Sequence, residues 1–171
     1  MLKTFEEADF PILQNWVTSK EMLFQFSATE LSYPLNLEQW QAYRQKYPDR
    51  QQYLARLDIG TPYAFGEIIP QDEKSVRLSR LLVGEVRQRG KGLGGRLIQE
   101  LITEAEKQFT LERIDLFVLA DNARAIRCYE KEGFTFVEAP EFELEFEGNK
   151  YLVRKMSFYI IQKTSGVKKF K

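Results

Sequence analysis

The sequence predicts a mixed α/β (α+β) domain: a mostly antiparallel sheet of six to seven strands, with a central parallel pair joined by a crossover helix and about four helices in all. Two observations carry this expectation. From Leu93 to Lys107 the apolar residues Leu93, Leu97, Ile98, Leu101, Ile102 and Ala105 form one stripe, with Arg96, Glu100, Glu104 and Lys107 opposite, which is the pattern of an amphipathic helix. Apolar segments at 76–83 and 113–119 flank that helix through short links, and strand, helix, strand in this order makes a right-handed crossover between parallel strands.

The other elements follow from local chemistry. Asp9 is placed to cap a helix over 9–19, with Pro11 in its first turn and Ile12, Leu13, Trp16 and Val17 on one face. An irregular aromatic stretch (Phe24, Phe26, Tyr33, Pro34) leads to Asn36, the cap of a helix to about Tyr47 that Pro48 ends. Segments 51–59 and 63–69 straddle Gly60-Thr61-Pro62 and read as an antiparallel hairpin, and 70–73 turns the chain again. After the crossover, Asn122 caps a helix to Glu132 that Gly133 terminates. Strands at 134–138, 141–146 and 150–160 finish the sheet as a second ribbon, and the tail ending Lys168-Lys169-Phe170-Lys171 reads as disordered.

Composition narrows the function. A chain of 171 residues with 43% hydrophobic side chains suits one compact domain, 1–171. Within it, acceptor-side elements would occupy about 1–75, a binding core 76–138, a ribbon 139–162 and a tail 163–171. Lysine plus arginine and aspartate plus glutamate both number 25, so no net field favours nucleic acid or an anionic membrane as partner. A lone cysteine, Cys128, and a start without an apolar run point to a reducing cytoplasm. The chain has no histidine, which excludes serine–histidine and cysteine–histidine hydrolysis and any imidazole metal site; no metal is expected. Cys128 is expected to be inert packing.

Chemistry concentrates in Arg89-Gly90-Lys91-Gly92-Leu93-Gly94-Gly95, at the start of the strong helix. A helix that begins in a glycine turn presents unpaired amides and the positive end of its dipole to phosphate, and Arg89, Lys91 and Arg96 add charge suited to a diphosphate. The competing reading is a tight turn that only packs helix on strand. The P-loop is excluded because Gly92, not serine or threonine, follows Lys91. The dinucleotide pattern G-x-G-x-x-G is satisfied by 90–95, but the acidic residue it requires would be Asp115, at the start rather than the end of the next strand.

Arg89, Gly92 and Gly94 match the cofactor-loop signature of the GNAT family of N-acetyltransferases, and 122–134 resembles its second signature through Asn122, Ala123, Tyr129, Gly133 and Phe134. The sequence is similar to this family over roughly 76–138, with a likeness to bacterial ribosomal-protein and small-amine acetyltransferases. The resemblance implies that acetyl-CoA is the co-substrate. Backbone groups of Leu81, Leu82 and Val83 would meet its pantetheine, amides of Arg89, Gly90, Lys91, Gly92, Leu93, Gly94 and Gly95 its pyrophosphate, and Asn122 and Ala125 its pantetheine arm. Tyr129 would face the sulfur as the acid that protonates the departing thiolate. The competing readings are a core residue for Tyr129 and simple capping for Asn122.

No base carries over, because Phe117 occupies the position where several relatives have glutamate. Glu67 is the candidate, against the reading of an exposed strand residue; water or an already neutral amine would need neither. Glu141, Glu143, Glu145 and Glu147 alternate with Phe142, Leu144 and Phe146 and could line a face that attracts a cationic amine, or form a solvated edge. Phe24, Phe26, Tyr33, Trp40 and Tyr43 would cover one side of the acceptor cleft or pack the core. The expected partner is an amine-bearing small molecule or a protein N-terminus or lysine, and the chain would be a monomer or homodimer. A catalytically silent CoA-binding regulatory module and a nucleotide-dependent oxidoreductase are the alternatives.

Overall fold

The computed structural model describes residues 1–85 and 89–161, so the expected tail at 163–171 lies outside the described residues. The strands are β1 (Leu2–Thr4), β2 (Gln51–Arg56), β3 (Pro62–Asp72), β4 (Ser75–Val83), β5 (Arg113–Leu119), β6 (Thr135–Phe136), β7 (Phe142–Phe146) and β8 (Asn149–Tyr159). Five α-helices accompany them among the described residues: α1 (Phe10–Trp16), α2 (Lys20–Ser27), α3 (Leu37–Lys46), α4 (Leu93–Gln108) and α5 (Ala123–Lys131). All eight strands join one sheet in the order β1-β2-β3-β4-β5-β8-β6, with β7 paired to β8. Only β4 and β5 run parallel, joined through α4 as the crossover requires.

Two elements exceed the expected six to seven strands and four helices: β1, which pairs with β2, and α2, which replaces the irregular aromatic stretch. Ser19 starts α2 by accepting a hydrogen bond from the Met22 amide at 3.1 Å. The first helix is shorter than the expected 9–19, and Asp9 does not cap it. Its carboxylate instead accepts from the Glu6 amide at 3.1 Å and pairs with Arg56. Strand β2 stops at Arg56, short of the expected 59. Pro70 lies inside β3 rather than in a turn, beside an irregularity in the β3–β4 register.

The sheet buries a core on each face. Leu97, Ile98, Leu101 and Ala105 of α4 pack on Ala64, Ile68, Leu78, Ile114 and Leu116. On the other face Leu13, Trp16, Phe26, Trp40 and Tyr43 from α1 to α3 pack on Leu54, Phe65 and Leu82. Alternation along β3, where Ala64 and Phe65 fall into different cores, is the period-two pattern of a doubly covered strand.

Strand β5 pairs with β8 at seven positions, Arg113↔Tyr159 to Leu119↔Val153, but with β4 at only three, Ser75↔Arg113 to Arg77↔Asp115. Past Arg77 the two strands separate. On the β4 side the irregularity is visible: the register on β3 shifts between Phe65 and Glu67, and Arg80 takes a positive φ of 49°.

Asp115 anchors the paired end of β5. Fully buried, it accepts hydrogen bonds from Ser157, from Gln71 at 2.9 Å and from Arg113, and pairs with Lys155 at 3.0 Å. Burial alone would raise its pKa, but these donors more than offset that and hold the carboxyl below its ordinary range. A depressed folded-state value contributes stability that is present above the unfolded pKa and lost as pH falls through the folded one. Denaturant melts should therefore show a stability loss below about pH 4 that is absent in Asp115→Asn, and at pH 7 that variant should be less stable by about 3 kcal/mol.

Candidate functional site

A cleft of about 500 Å³ opens where β4 and β5 part. One wall is the end of β4 with Leu81, Leu82 and Val83; the other is α5 with Asn122, Ala125, Cys128 and Tyr129; the glycine turn and α4 close one end. Met22, Gln25 and Phe26 of α2 complete the lining. The helix that the sequence did not reveal therefore forms part of the site.

Each glycine of the turn has a geometric reason. Gly90 and Gly92 adopt φ of 83° and 79°, which side chains resist, and Gly92 is the N-cap of α4. Gly94 and Gly95 permit close helix contact: a β-carbon would stand 3.1 Å from Cys128 Sγ at Gly94 and 2.3 Å from Glu132 Oε1 at Gly95. Packing accounts for two glycines and backbone conformation for two. The amides of Leu93, Gly94 and Gly95 make no hydrogen bond to any described residue, so among the described residues α4 presents three donors without a partner at its positive end.

The charges are arranged differently from expectation. Arg96 does not serve the turn, because it is held by Glu100 at 3.0 Å and Asp58 at 3.2 Å. Arg89 lines the cleft but folds back, donating to the carbonyls of Val83 at 3.2 Å and Gly84 at 3.3 Å. Burial, then repulsion from Arg124, lowers its pKa. Lys91 is exposed in the turn and outside the cleft lining. Arg124, Arg127 and Lys131 of α5 do line the cleft, and none forms an ion pair among the described residues. Their spacing of three and four residues puts them on one helix face, a signal present in the sequence that motif matching passed over.

Asn122 caps α5 by accepting from the Ala125 amide at 3.2 Å, which leaves its own amide hydrogens to donate. Tyr129 lines the cleft, half-buried, and its hydroxyl makes no hydrogen bond to a described residue. Burial, then the neighbouring Cys128, pushes its pKa up, so it holds its proton at neutral pH. Cys128 also lines the cleft, its thiol pKa raised by burial.

Glu67 is placed neither at the surface nor in the cleft lining. It is completely buried; both oxygens accept from the Tyr43 hydroxyl, at 2.8 and 2.9 Å, one accepts from Gln52 at 3.0 Å, and Arg80 lies 3.7 Å away. The exposed-strand reading fails because α3 covers this face through Tyr43, whose own pKa burial and Glu67 push up to about 12.

Of the five aromatics expected around the acceptor, Trp40 and Tyr43 are core, Phe24 stacks on Phe146, Tyr33 is exposed, and Phe26 alone lines the cleft. The glutamates of the β7 region form an exposed edge in which Glu141 pairs with Arg154, Glu143 with Lys150 and Glu147 with Lys20.

A diphosphate-ready glycine turn beside a split parallel pair defines a domain that binds an extended, phosphate-bearing cofactor. The sequence profile described as the Acetyltransferase (GNAT) family matches residues 13–134, and the chain belongs to that family. It is 35% identical over 88 residues to the spermine/spermidine N(1)-acetyltransferase of Bacillus subtilis (strain 168), covering 50% of this chain and 55% of the relative. It is also 35% identical over 68 residues to an L-amino acid N-acetyltransferase of Escherichia coli (strain K12), covering 40% of this chain and 37% of the relative. The chain thus spans about half, or less, of the curated relatives it matches. Among solved structures, spermidine N-acetyltransferase from Vibrio cholerae in complex with CoA and spermine superposes with a TM-score of 0.77 at 17% identity, over 93% of this chain and 94% of the other, a likeness of fold.

Neutralising Arg124 and Lys131 together, as Arg124→Gln/Lys131→Gln, should weaken CoA binding by about ten- to a hundredfold in isothermal titration, since charge-assisted bonds to phosphate are lost. The melting temperature should stay unchanged, because neither side chain has an ionic partner among the described residues.

Proposed function

We propose that this chain is an acetyl-CoA-dependent N-acetyltransferase that acts on the primary amine of a small molecule by direct attack in a ternary complex. The observation that carries the reading is the set of unbonded amides at Leu93, Gly94 and Gly95, opening onto the cleft where β4 leaves β5. Family membership and the likeness to amine acetyltransferases support it.

In this reading the turn from Arg89 to Gly95 and the cations of α5 hold the pyrophosphate and outer phosphate. The open edge of β4 at Leu81, Leu82 and Val83 pairs with the pantetheine amides, and Asn122 and Ala125 contact its other side. The edge groups suit this partner because strand β5 leaves them without one. The amine nitrogen attacks the thioester carbonyl, the carbon–sulfur bond breaks, and Tyr129 gives its proton to the leaving thiolate. Glu67 is saturated by Tyr43, Gln52 and Arg80, so we assign the amine proton to water in the cleft and a positioning role to Glu67. The working unit is one domain, with residues 1–75 on the acceptor side and 76–138 on the cofactor side.

Calorimetry with acetyl-CoA, NAD and ATP, followed by an amine panel read by thiol release, tests the proposal. Binding of NAD but not acetyl-CoA would remove it, and tight CoA binding without turnover on any amine would favour a silent binding module. Tyr129→Phe should lower kcat by about 10²-fold or more with the affinity for acetyl-CoA nearly unchanged; an unaltered kcat would take that phenol out of the mechanism.

A further inference from the structure

Resting on the acyl-transfer reading, we propose that the acceptor carries a carboxylate beside its amine, and that Arg77 is the counter-ion that receives it. Arg77 is the last residue of β4 in register with β5, so it stands where the two strands begin to part, beside the cleft and outside its lining. The half-buried side chain lies over the exposed edge of Phe117, with its guanidinium 5.5 Å from the ring centroid. Its Nε is fully enclosed and has no hydrogen-bond partner, and no carboxylate lies within ion-pair distance of it among the described residues. A half-buried guanidinium so placed is an incomplete site, because a partly desolvated cation carries a cost that a paired anion would offset.

The surroundings sharpen the point. Arg50 and Arg80 are close enough to repel Arg77, and burial followed by those two charges lowers its pKa. Glu67 is the carboxylate whose charge acts on Arg77, and its oxygens are taken by Tyr43, Gln52 and Arg80. Asp115, opposite Arg77 in register, is taken by Arg113, Lys155, Ser157 and Gln71. Arg50 likewise bonds only the Tyr43 hydroxyl, at 2.6 Å, and stacks on Tyr47. Three guanidiniums therefore meet one buried carboxylate, Glu67, while Glu30, which also pairs with Lys46, acts on Arg50 and Arg80 but not on Arg77. Phe117 adds to the imbalance: a glutamate there would neutralise Arg77, whereas the ring leaves it open and meets Phe142 at 5.6 Å to form an apolar wall beside it. A purely cationic polyamine would meet repulsion here, and of the four glutamates that could attract one, Glu141, Glu143 and Glu147 already hold cations, which leaves Glu145 alone without an ion pair among the described residues. An amino acid matches both requirements, with its carboxylate on Arg77 and its amine directed to the cleft.

Decarboxylation pairs test this: ornithine against putrescine, and phenylalanine against phenethylamine, each with acetyl-CoA and thiol detection. The carboxylated member should have the higher kcat/KM by about ten- to a hundredfold, and Arg77→Gln should collapse that ratio towards one. Equal or better use of putrescine and phenethylamine, or a ratio that survives the substitution, overturns the proposal. To separate this from failure of acyl transfer itself, N-acetylphenylalanine and the neutral N-phenethylacetamide are titrated into the protein with and without CoA. Tighter binding of the carboxylate, lost in Arg77→Gln, supports the site whether or not turnover occurs; preference for the neutral compound overturns it. Without ligand, Arg77→Gln should melt at or above the wild-type temperature, since an uncompensated charge is removed. A clear drop would show that Arg77 serves the fold instead, and would also overturn the proposal.

Discussion

The separation of β4 from β5 after three paired residues is the constraint on which the site depends. Strand β5 is committed to β8 along its whole length, and β4 is committed to β3, so neither can follow the other past Arg77. An unpaired strand edge inside a protein leaves hydrogen-bonding groups that need partners. A ligand with amides spaced along an extended chain is the natural occupant, because it can complete the ladder that the second strand abandons. The glycine turn sits at the end of this open edge, so a single extended molecule can use both the edge groups and the free amides of α4.

The buried polar layer beneath α3 explains how the separation is held. Tyr43 donates to Glu67 and accepts from Arg50 and Arg80, and Arg80 also reaches the carbonyl of Phe26 in α2. This ties the irregular residue of β4, with its positive φ, to two helices at once. Such a network is worth most when every member is satisfied, and it places a fixed ionic group directly behind the strand that lines the cleft. Glu67, which looked like chemistry from the sequence, is better understood as the anion that lets Arg80 be buried.

Elements with a clean period were legible in the sequence and those without one were not. Helix α4 and strand β5 stand close to where the apolar pattern put them, and the glycine turn opens α4 as the motif implied. Helix α2 was hidden because Met22, Leu23, Phe24 and Phe26 are crowded rather than spaced: Leu23 and Phe26 enter the core while Phe24 stacks on Phe146 across a different surface. The exposed reading of Glu67 failed because alternation along a strand does not reveal whether its second face is covered. Charges near a motif were also ambiguous. Arg96 is four residues from Glu100 and is spent on it, while Arg124, Arg127 and Lys131, thirty residues further on in the chain, reach the same cleft through the fold.

The one carboxylate that lines the cleft among the described residues, Glu132, accepts from Gln99 and lies against Gly95 of the glycine turn, and the lack of a free base is less of a difficulty once the acceptor side is taken as cationic. A nearby positive charge disfavours the ammonium form of an amine, so an acceptor amine held beside the Arg77 guanidinium would give up its proton more readily. The neutral nucleophile is then more populated at ordinary pH, and its remaining proton can leave to water. On the other side of the bond the requirement is reversed, since a thiolate must be protonated as it departs. Tyr129 meets that need because burial keeps its phenol protonated. In the proposed reaction the two halves would be served by opposite electrostatic shifts, a cation beside the amine and burial around the acid, without a histidine anywhere in the chain.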